Sequence, residues 1–396
     1  MITIENKSQC CGCSACFSVC PQQCISMKKD EEGFFYPQVE KNLCVECGVC
    51  EKVCPVLHTK KGTLLPQAYA FQIDDEASLY DCAAGGAFFA IGKKIIEQGG
   101  YVFGAAYDKD LVVRHMMART VSELEPFRSS KYVQSDPSSC FKQVKGLLEE
   151  KKLVCYSGTP CQIAGLKAFL RKDYENLVTI DLVCKGVSSP EVFRQYISKM
   201  KTENGDIQGV NFKRKTYGYH SSTMSVDFTN GGKYSRGGIT DLMMRSFRAN
   251  ICLRPSCTEC AFKTGERVSD LTLFDCWHYT ELTGKKDNDK GHTSILVHSE
   301  KGAKLIELCK DIASVDLISA EEAIHYDGIM VNNRVKNHDK RKEFFVALNQ
   351  NGFEAAVQKC IPVSAKERMM DSSKVFLHKT GLMKVAKKVL GRQKIK

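Results

Sequence analysis

The chain has 396 residues, of which 43% are hydrophobic and 21 are cysteine, and its formal net charge is +11. No apolar run approaches the roughly 18 residues that a membrane-spanning helix needs, so the composition predicts a soluble protein. The positive charge is concentrated in residues 365–396, where ten basic side chains accompany two acidic ones, and it gives little support to nucleic-acid binding.

Two copies of one cysteine pattern occupy the N-terminal region. Each copy has the spacing C-x2-C-x2-C-x3-C-P, which is typical of the ligands of a cubic [4Fe-4S] cluster. In two-cluster ferredoxins the fourth cysteine of each copy binds the other cluster, so Cys20 and Cys54 are expected to cross over. The first set is therefore Cys10, Cys13, Cys16 and Cys54, and the second set is Cys20, Cys44, Cys47 and Cys50. The pattern therefore predicts that this segment transfers electrons one at a time.

Two other uses of these cysteines fit the sequence less well. Paired C-x2-C ligands also suit zinc, but structural zinc sites separate their ligand pairs more widely and need no proline after the last cysteine. No apolar secretory segment precedes Cys10, so reduced cysteines are expected rather than disulfides, and we expect a cytoplasmic protein.

The remaining chain is long enough for one large or two medium cores. Residues 1–58 are predicted as a ferredoxin-type domain, and the polar residues 59–67 as a linker. Alternating patterns beyond the linker predict an α/β fold. The predicted strands are residues 68–73, 100–107, 111–117, 152–156 and 177–183, and the predicted helices are residues 87–98, 138–150, 161–170 and 190–200. Short strands follow residue 207, and mostly helix follows residue 320.

A third set of thiols is predicted from Cys161, Cys184, Cys257 and Cys260. Cys257 and Cys260 form a C-x2-C pair, while Cys161 and Cys184 each follow the end of a predicted strand, where a sheet would bring them together. Four such ligands predict a third [4Fe-4S] cluster. Ordinary packing is expected for Cys82, Cys140, Cys155, Cys309 and Cys360, and Cys24 is expected to pack beside a cluster. Cys11, Cys252 and Cys276 lie near predicted ligands without an assignment.

Together these features resemble the beta-subunit family of coenzyme F420 hydrogenases and dehydrogenases, in the form with an N-terminal two-cluster ferredoxin. The resemblance spans about residues 1–335. It rests on Ala84-Gly85-Gly86 and on residues 129–135 (SSKYVQS), 157–162 (SGTPCQ), 181–187 (DLVCKGV), 254–260 (RPSCTEC), 267–270 (RVSD) and 275–277 (DCW). Departures from the family pattern occur at Ala84, at Lys185 and around Trp277.

The resemblance implies a flavin-binding α/β (α+β) domain over residues 68–335, in parts 68–150 and 151–335, that holds FAD near the third cluster. By the same resemblance, the FAD-binding residues would be Gly85, Gly86, Ser130, Lys131, Tyr132, Gln134, Gly158, Thr159 and Gln162. The glycines would admit the cofactor, and Lys131 would face its diphosphate. The plainer alternative is that Lys131 is a surface cation and Gln162 a first-turn helix residue.

The implied function is an iron-sulfur flavoprotein oxidoreductase that passes electrons between the clusters and a two-electron substrate through FAD. The resemblance suggests reduced coenzyme F420 or a bacterial substitute in polysaccharide synthesis as the substrate, or a redox partner protein. Two alternatives remain open at this point. The chain could be a non-catalytic electron-transfer subunit of a partner enzyme, or a redox-sensing protein with structural clusters.

The C-terminal segment, residues 336–396, is predicted to be helical and basic. Apolar residues recur at helical spacing between Leu382 and Arg392, with lysines around them. This pattern predicts a short amphipathic helix that contacts an acidic partner or anionic lipid at a membrane surface, and the alternative is a solvated end.

Overall fold

The structure is a computed structural model that describes residues 1–64 and 67–383. Its N-terminal segment contains two short helices and one antiparallel hairpin: α1 (Ala15–Val19), β1 (Ile25–Lys29), β2 (Phe35–Val39) and α2 (Val49–Lys52). Both helices follow a residue with left-handed backbone, Ser14 at φ 64° and Gly48 at φ 69°. The two copies of the cysteine pattern therefore begin their helices in the same way, as expected of a duplicated ferredoxin-type motif.

The rest of the described chain alternates strands and helices. The strands are β3 (Ala68–Ile73), β4 (Tyr101–Tyr107), β5 (Val113–Ala118), β6 (Val154–Ser157), β7 (Leu177–Leu182), β8 (Ile207–Arg214), β9 (Thr223–Phe228), β10 (Lys233–Gly237), β11 (Leu271–Cys276), β12 (His292–Val297) and β13 (Ala313–Ile318). The helices are α3 (Glu76–Asp81), α4 (Ala87–Glu97), α5 (Cys140–Glu149), α6 (Pro160–Leu170), α7 (Pro190–Asn204), α8 (Leu242–Arg248), α9 (Tyr279–Thr283), α10 (Glu300–Leu308), α11 (Ala320–Tyr326), α12 (Arg341–Asn351), α13 (Phe353–Cys360) and α14 (Ala365–Lys379).

Eight strands form one mixed sheet in the order β13-β3-β12-β11-β7-β6-β4-β5. The four strands β11, β7, β6 and β4 run parallel to one another, and the remaining pairs are antiparallel. One hydrophobic core lies between the sheet and helices α4 and α10, and another between the sheet and helices α5 and α6. The predicted α/β fold is confirmed.

The carboxyl ends of β6 and β7 meet at one edge of this sheet. Each is followed by a helix whose first residue is a proline, Pro160 in α6 and Pro190 in α7. Proline suits that position because the amide it lacks would have no partner inside the helix. The turns that contain Cys161 and Cys184 therefore lie side by side, where sheets of this kind place ligands.

A second sheet, β10-β9-β8, packs with helices α7, α8, α12 and α13 around a further hydrophobic core. Phe344, Phe345 and Leu348 of α12 are buried there, and so is Phe34 of the N-terminal hairpin. The part of the predicted C-terminal segment up to residue 360 is thus packed into the main body of the protein. Helix α14 begins at a capping box of Ser364 and Glu367.

Part of the predicted linker is bound to the main sheet. The Thr63 hydroxyl donates to the carbonyl of His298 at 2.7 Å, and His298 Nδ1 lies 2.7 Å from the carbonyl of Thr63. Residues 65 and 66 lie outside the described residues, as does the predicted amphipathic helix from residue 384 onward. Among the helices of the described chain, none combines the length and apolar character needed to cross a membrane.

Candidate functional site

The first set of predicted ligands lies around the start of α1 and the end of α2. Burial raises the pKa of Cys10, and it raises the pKa of Cys16 to about 12, with a contribution from the neighbouring Cys54 thiol in both cases. Cys13 is adjacent to Cys10 and Cys16. The structure thus places Cys54 near Cys10 and Cys16, and the binding of one cluster by these four thiols stays a prediction.

Members of the second set lie around Cys24. The sulfur of Cys24 is 3.4 Å from that of Cys20, and Cys44 is its other thiol neighbour. The amide of Ile2 donates to the Cys50 sulfur at 3.3 Å. Cys47 is exposed. Cys24 thus packs beside predicted ligands, as expected from the sequence.

The third set lines one cavity at the edge of the large sheet. Its walls include all four predicted thiols, Cys161, Cys184, Cys257 and Cys260. Burial raises the pKa of Cys257 to about 12, and the Cys161 and Cys260 thiols add to the increase. Gly186 leaves room beside them, since a Cβ there would lie 3.0 Å from Leu253 Cδ1 and 3.3 Å from the Cβ of Cys257. Four convergent thiols match the ligand set of a cubic cluster.

Within residues 1–64 and 67–383, no three His, Cys, Asp or Glu side chains converge closely enough to bind a single metal ion. The fit to iron-sulfur chemistry rests instead on the number of thiols and on their grouping. Each of the three sets offers four cysteines, which is the ligand count of a [4Fe-4S] cluster.

Cys11, which the sequence left without an assignment, lies between the first and third sets. Its thiol is partly buried, and it is a close neighbour of the thiols of Cys13 and Cys161. Helix α6 also contacts α1 directly, because Gly165 leaves room for Cys13. The first and third sets are thereby held next to each other.

The strand-to-helix turn at residues 157–162 is fixed by hydrogen bonds within the protein. Gln162 Oε1 accepts from the amide of Thr159 at 2.9 Å and from its hydroxyl at 3.0 Å, and Gln162 Nε2 donates to the Ser135 hydroxyl at 3.0 Å. A Cβ on Gly158 would lie 3.1 Å from Gln162 Oε1. Gln162 therefore has the role of a first-turn helix residue, and the turn beside Cys161 is rigid.

His115, in strand β5, supports the same turn and was not identified from the sequence, since a single histidine in a strand gives no signal. It is 2% exposed, and its ring stacks on Tyr156 at 5.1 Å. Its Nε2 lies 2.9 Å from the Ser157 carbonyl and its Nδ1 3.1 Å from the Ser135 hydroxyl. Burial lowers its pKa to about 4, so the ring is neutral at pH 7 and its Nε2–H donates to the carbonyl.

Lys131 lies apart from that turn. Its ammonium donates to the carbonyls of Pro126, Arg128 and Ser129 at 2.6, 2.9 and 3.2 Å, and burial lowers its pKa to about 7. Ser130 lies near Tyr132. The Gln134 side chain is hydrogen-bonded to the N-terminal segment, since its Nε2 donates to the carbonyl of Cys11 at 3.1 Å.

Gly85 and Gly86 are both required by the packing of the backbone. A Cβ on Gly85 would lie 2.0 Å from the carbonyl of Phe71, and Gly86 begins α4 with φ +80°. The amide of Gly85 donates to the Thr293 hydroxyl at 2.8 Å. These contacts account for both glycines without a ligand.

A row of lysines and aromatic rings connects the third set to Gly85, and most of its members were missed in the sequence. The lysine row comprises Lys185, Phe247, Tyr132, Lys213, Trp277, Tyr219 and Lys215. Lys185 lies over the Phe247 ring at 5.1 Å, and that ring stacks on Tyr132 at 4.5 Å. Lys213 lies over Trp277 at 4.9 Å, and Trp277 stacks on Tyr219 at 4.3 Å. Lys215 donates to the carbonyl of Ala84 at 2.7 Å.

The charges in this region are unbalanced. Lys213 is paired with Asp275 at 2.5 Å, but Lys131, Lys185 and Lys215 form no ion pair with any described residue, and their ammonium groups donate to backbone carbonyls. Burial lowers the pKa of Lys185 and of Lys215 to about 8. Buried cations are normally paired with anions, so this region suits a ligand with negative charge, such as the diphosphate of FAD.

Two family matches cover different parts of the chain. Residues 151–323 match the family described as the C-terminal region of the beta chain of coenzyme F420 hydrogenase/dehydrogenase. Residues 9–57 match the 4Fe-4S dicluster domain.

Two ferredoxins are similar to the N-terminal part. A 7Fe ferredoxin of Hydrogenibacillus schlegelii is 28% identical over 67 residues, which are 17% of this chain and 80% of the ferredoxin. An uncharacterized ferredoxin of Methanocaldococcus jannaschii is 35% identical over 52 residues, 13% of this chain and 66% of that protein.

Among solved structures, a chain of the F420-reducing [NiFe] hydrogenase complex from Methanosarcina barkeri superposes with a TM-score of 0.45 at 14% identity, covering 76% of this chain and 92% of that one. The sequence matches divide the chain into a dicluster segment and a beta-subunit segment, each of which contains its predicted thiols. Residues 151–323 of this chain therefore carry a C-terminal domain of the coenzyme F420 hydrogenase/dehydrogenase beta-subunit family, and residues 9–57 carry a 4Fe-4S dicluster domain.

Proposed function

We propose that this chain is an oxidoreductase that relays electrons between its ferredoxin-type clusters and a two-electron substrate through FAD. In this proposal the first and second sets each hold a [4Fe-4S] cluster, the third set holds another, and FAD binds along the lysine row. Residues 1–58 form the electron-transfer domain and residues 68–335 the flavin-binding domain. The proposal rests on an unbroken series of neighbouring groups. Cys11 lies between the first and third sets, and Lys185, the residue after Cys184, is the first member of the lysine row.

FAD supplies chemistry that clusters lack, because it takes up two electrons as a hydride and releases them one at a time. The protein contributes position and charge. Lys131, Lys185 and Lys215 supply positive charge that no described carboxylate neutralises. His115 and Gln162 hold the turn beside Cys161 rigid, which fixes one end of the path that an electron takes to the ferredoxin domain.

The substrate in this proposal is a hydride carrier with a flat conjugated ring, either reduced coenzyme F420 or a bacterial substitute that serves polysaccharide synthesis. The stacked rings of Trp277 and Tyr219, 4.3 Å apart beside Lys213, support this class of substrate. Aromatic platforms bind conjugated rings by stacking.

A redox partner protein would reach the chain most closely at the second set. Cys47 is exposed there, and Leu43 and Val45 beside it are 58% and 61% exposed. Exposed apolar side chains around a cluster ligand favour transient docking of another electron carrier.

Reduction kinetics under anaerobic conditions test the proposed activity. The purified chain is mixed separately with reduced deazaflavin, reduced nicotinamide and reduced ferredoxin, and flavin and cluster absorbance are followed. We expect at least one hydride donor to reduce the flavin before the clusters. If flavin is bound but only reduced ferredoxin reduces the protein, the chain is an electron-transfer subunit and the enzyme proposal is wrong.

Replacing Lys215 with methionine should weaken FAD binding about tenfold or more. The residue is 6% exposed, and a buried charge-assisted hydrogen bond contributes roughly 1.5 to 3 kcal/mol. Equilibrium dialysis of the apo-flavin protein against FAD gives the two affinities.

The matched control is Lys290→Met, which removes an exposed lysine paired with Glu76 at the surface. Its FAD affinity should equal that of the parent. Equal FAD affinity in the parent, Lys215→Met and Lys290→Met would show that Lys215 does not contribute to FAD binding.

A further inference from the structure

Arg254 is a fully buried arginine where the N-terminal domain meets the large sheet. Its side chain is 0% exposed. Nε donates to the Cys10 carbonyl at 2.8 Å, one terminal nitrogen donates to Gln134 Oε1 at 2.9 Å, and the other donates to the Phe35 carbonyl at 2.9 Å. Two of these three acceptors belong to the N-terminal domain, so Arg254 fastens that domain to the core.

None of these acceptors is negatively charged, and Arg254 forms no ion pair with any residue that the structure describes. The guanidinium also lies 4.3 Å from the centre of the Tyr36 ring. Arg267 lines the same cavity, and it is paired with buried Asp181 at 3.2 Å. An unpaired buried charge is strongly destabilising, so the position of Arg254 requires negative charge from another source.

The surroundings of Arg254 show where that charge would come from. It donates to the backbone of Cys10 in the first set, and it lines the cavity of the third set. Its hydrogen bonds and ring contacts with the described residues do not reach the thiols of the second set.

The close approach is built into the chain. Gly12 has φ +69°, and a Cβ there would lie 2.6 Å from Gln134 Nε2 and 3.0 Å from Arg254 Cζ. Any larger residue would push the loop that carries the first set away from the guanidinium. Gly12 therefore allows the loop of the first set to lie against the guanidinium of Arg254.

Resting on the proposed function, we propose that Arg254 is a positioning residue shared by the first and third clusters. It balances the negative charge of both clusters, and it raises the reduction potentials of both. Each cluster with four thiolates is an anion, and reduction adds one more negative charge. A fixed cation beside both favours the reduced state of both. Removal of this cation should therefore shift the potentials of both clusters in the same direction.

The test is a redox titration of the full chain, followed by electron paramagnetic resonance. Arg254→Met removes the charge at similar volume. It should move the midpoint potentials of the first and third clusters to more negative values and leave the potential of the second cluster unchanged. Arg254→Lys keeps the charge and should restore most of the shift.

Gln134→Glu provides a second route that keeps Arg254 in place. The new carboxylate would pair with the guanidinium, and the same two potentials should fall. This variant keeps the proposal testable if Arg254→Met does not assemble. The control is the double variant Glu32→Gln with Arg341→Gln. It removes an ion pair of zero net charge, 2.6 Å apart, between the N-terminal hairpin and α12, and its potentials should match those of the parent.

Unchanged potentials in both charge variants, with full iron content, would refute the role of Arg254. Equal shifts in Arg254→Lys and Arg254→Met would show that packing and not charge sets the potentials. A parent with about eight iron atoms would instead refute the third cluster, which is a failure of the proposed function.

Discussion

Replacing both Cys257 and Cys260 with serine is expected to lower the iron content from about twelve to about eight atoms per chain, since it removes two of four ligands from one cubic cluster. The two thiols line the same cavity as Cys161 and Cys184, and no other described cysteine except Cys11 lies on its wall. Iron analysis and paramagnetic resonance of the anaerobically purified variant measure the loss. The signals of the two ferredoxin-type clusters should persist.

The control is Cys252→Ser. Cys252 is buried five residues before Cys257, and its thiol donates to the Ser188 hydroxyl at 3.4 Å. This variant should keep all the iron of the parent. Loss of iron from Cys252→Ser equal to that of the double variant would mean that misfolding, not ligand removal, explains the result.

Gly165→Ala should have a comparable effect on the first cluster. A Cβ at this position would lie 2.7 Å from the Cβ of Cys13 and 2.9 Å from its sulfur. The Cβ of Cys13 cannot rotate away, because it is fixed to the backbone, so α1 itself must move off α6. Overpacking of this kind typically costs about 1 to 3 kcal/mol. We expect loss of the first cluster or a lower apparent melting temperature, measured by iron content and thermal unfolding.

Gly146→Ala in the neighbouring helix α5 is the matched control. No atom lies within 4 Å of the position that its Cβ would take. Alanine is favoured over glycine inside a helix by roughly 0.5 to 1 kcal/mol, so this variant should be as stable as the parent or more so. If Gly165→Ala behaves like Gly146→Ala, helices α1 and α6 are not in the contact described above.

The sequence predicted those parts of the structure that depend on short spacing. The duplicated C-x2-C motif marks one segment, and alternating hydrophobic patterns marked β3 to its last residue and α6 to within one residue. The third set could be anticipated because parallel strands end at one edge of a sheet, which brings Cys161 and Cys184 together.

Contacts between distant parts of the chain could not be predicted in this way. Arg254 was noted as part of a motif, but its acceptors at Cys10 and Phe35 are more than 200 residues away. Lys213 and Lys215 lie in or beside β8 and look like ordinary charged residues until the fold buries them. Lys131 and Gln162 lie in the predicted segments, but their hydrogen bonds go to the protein itself, and their part in FAD binding stays a prediction.

Measurement of FAD and iron content in a single anaerobic preparation tests most directly whether one chain holds iron-sulfur clusters together with flavin. We predict about one FAD and about twelve iron atoms per chain. Absence of FAD, both as purified and after incubation with excess FAD, would contradict the claim, whatever the iron content.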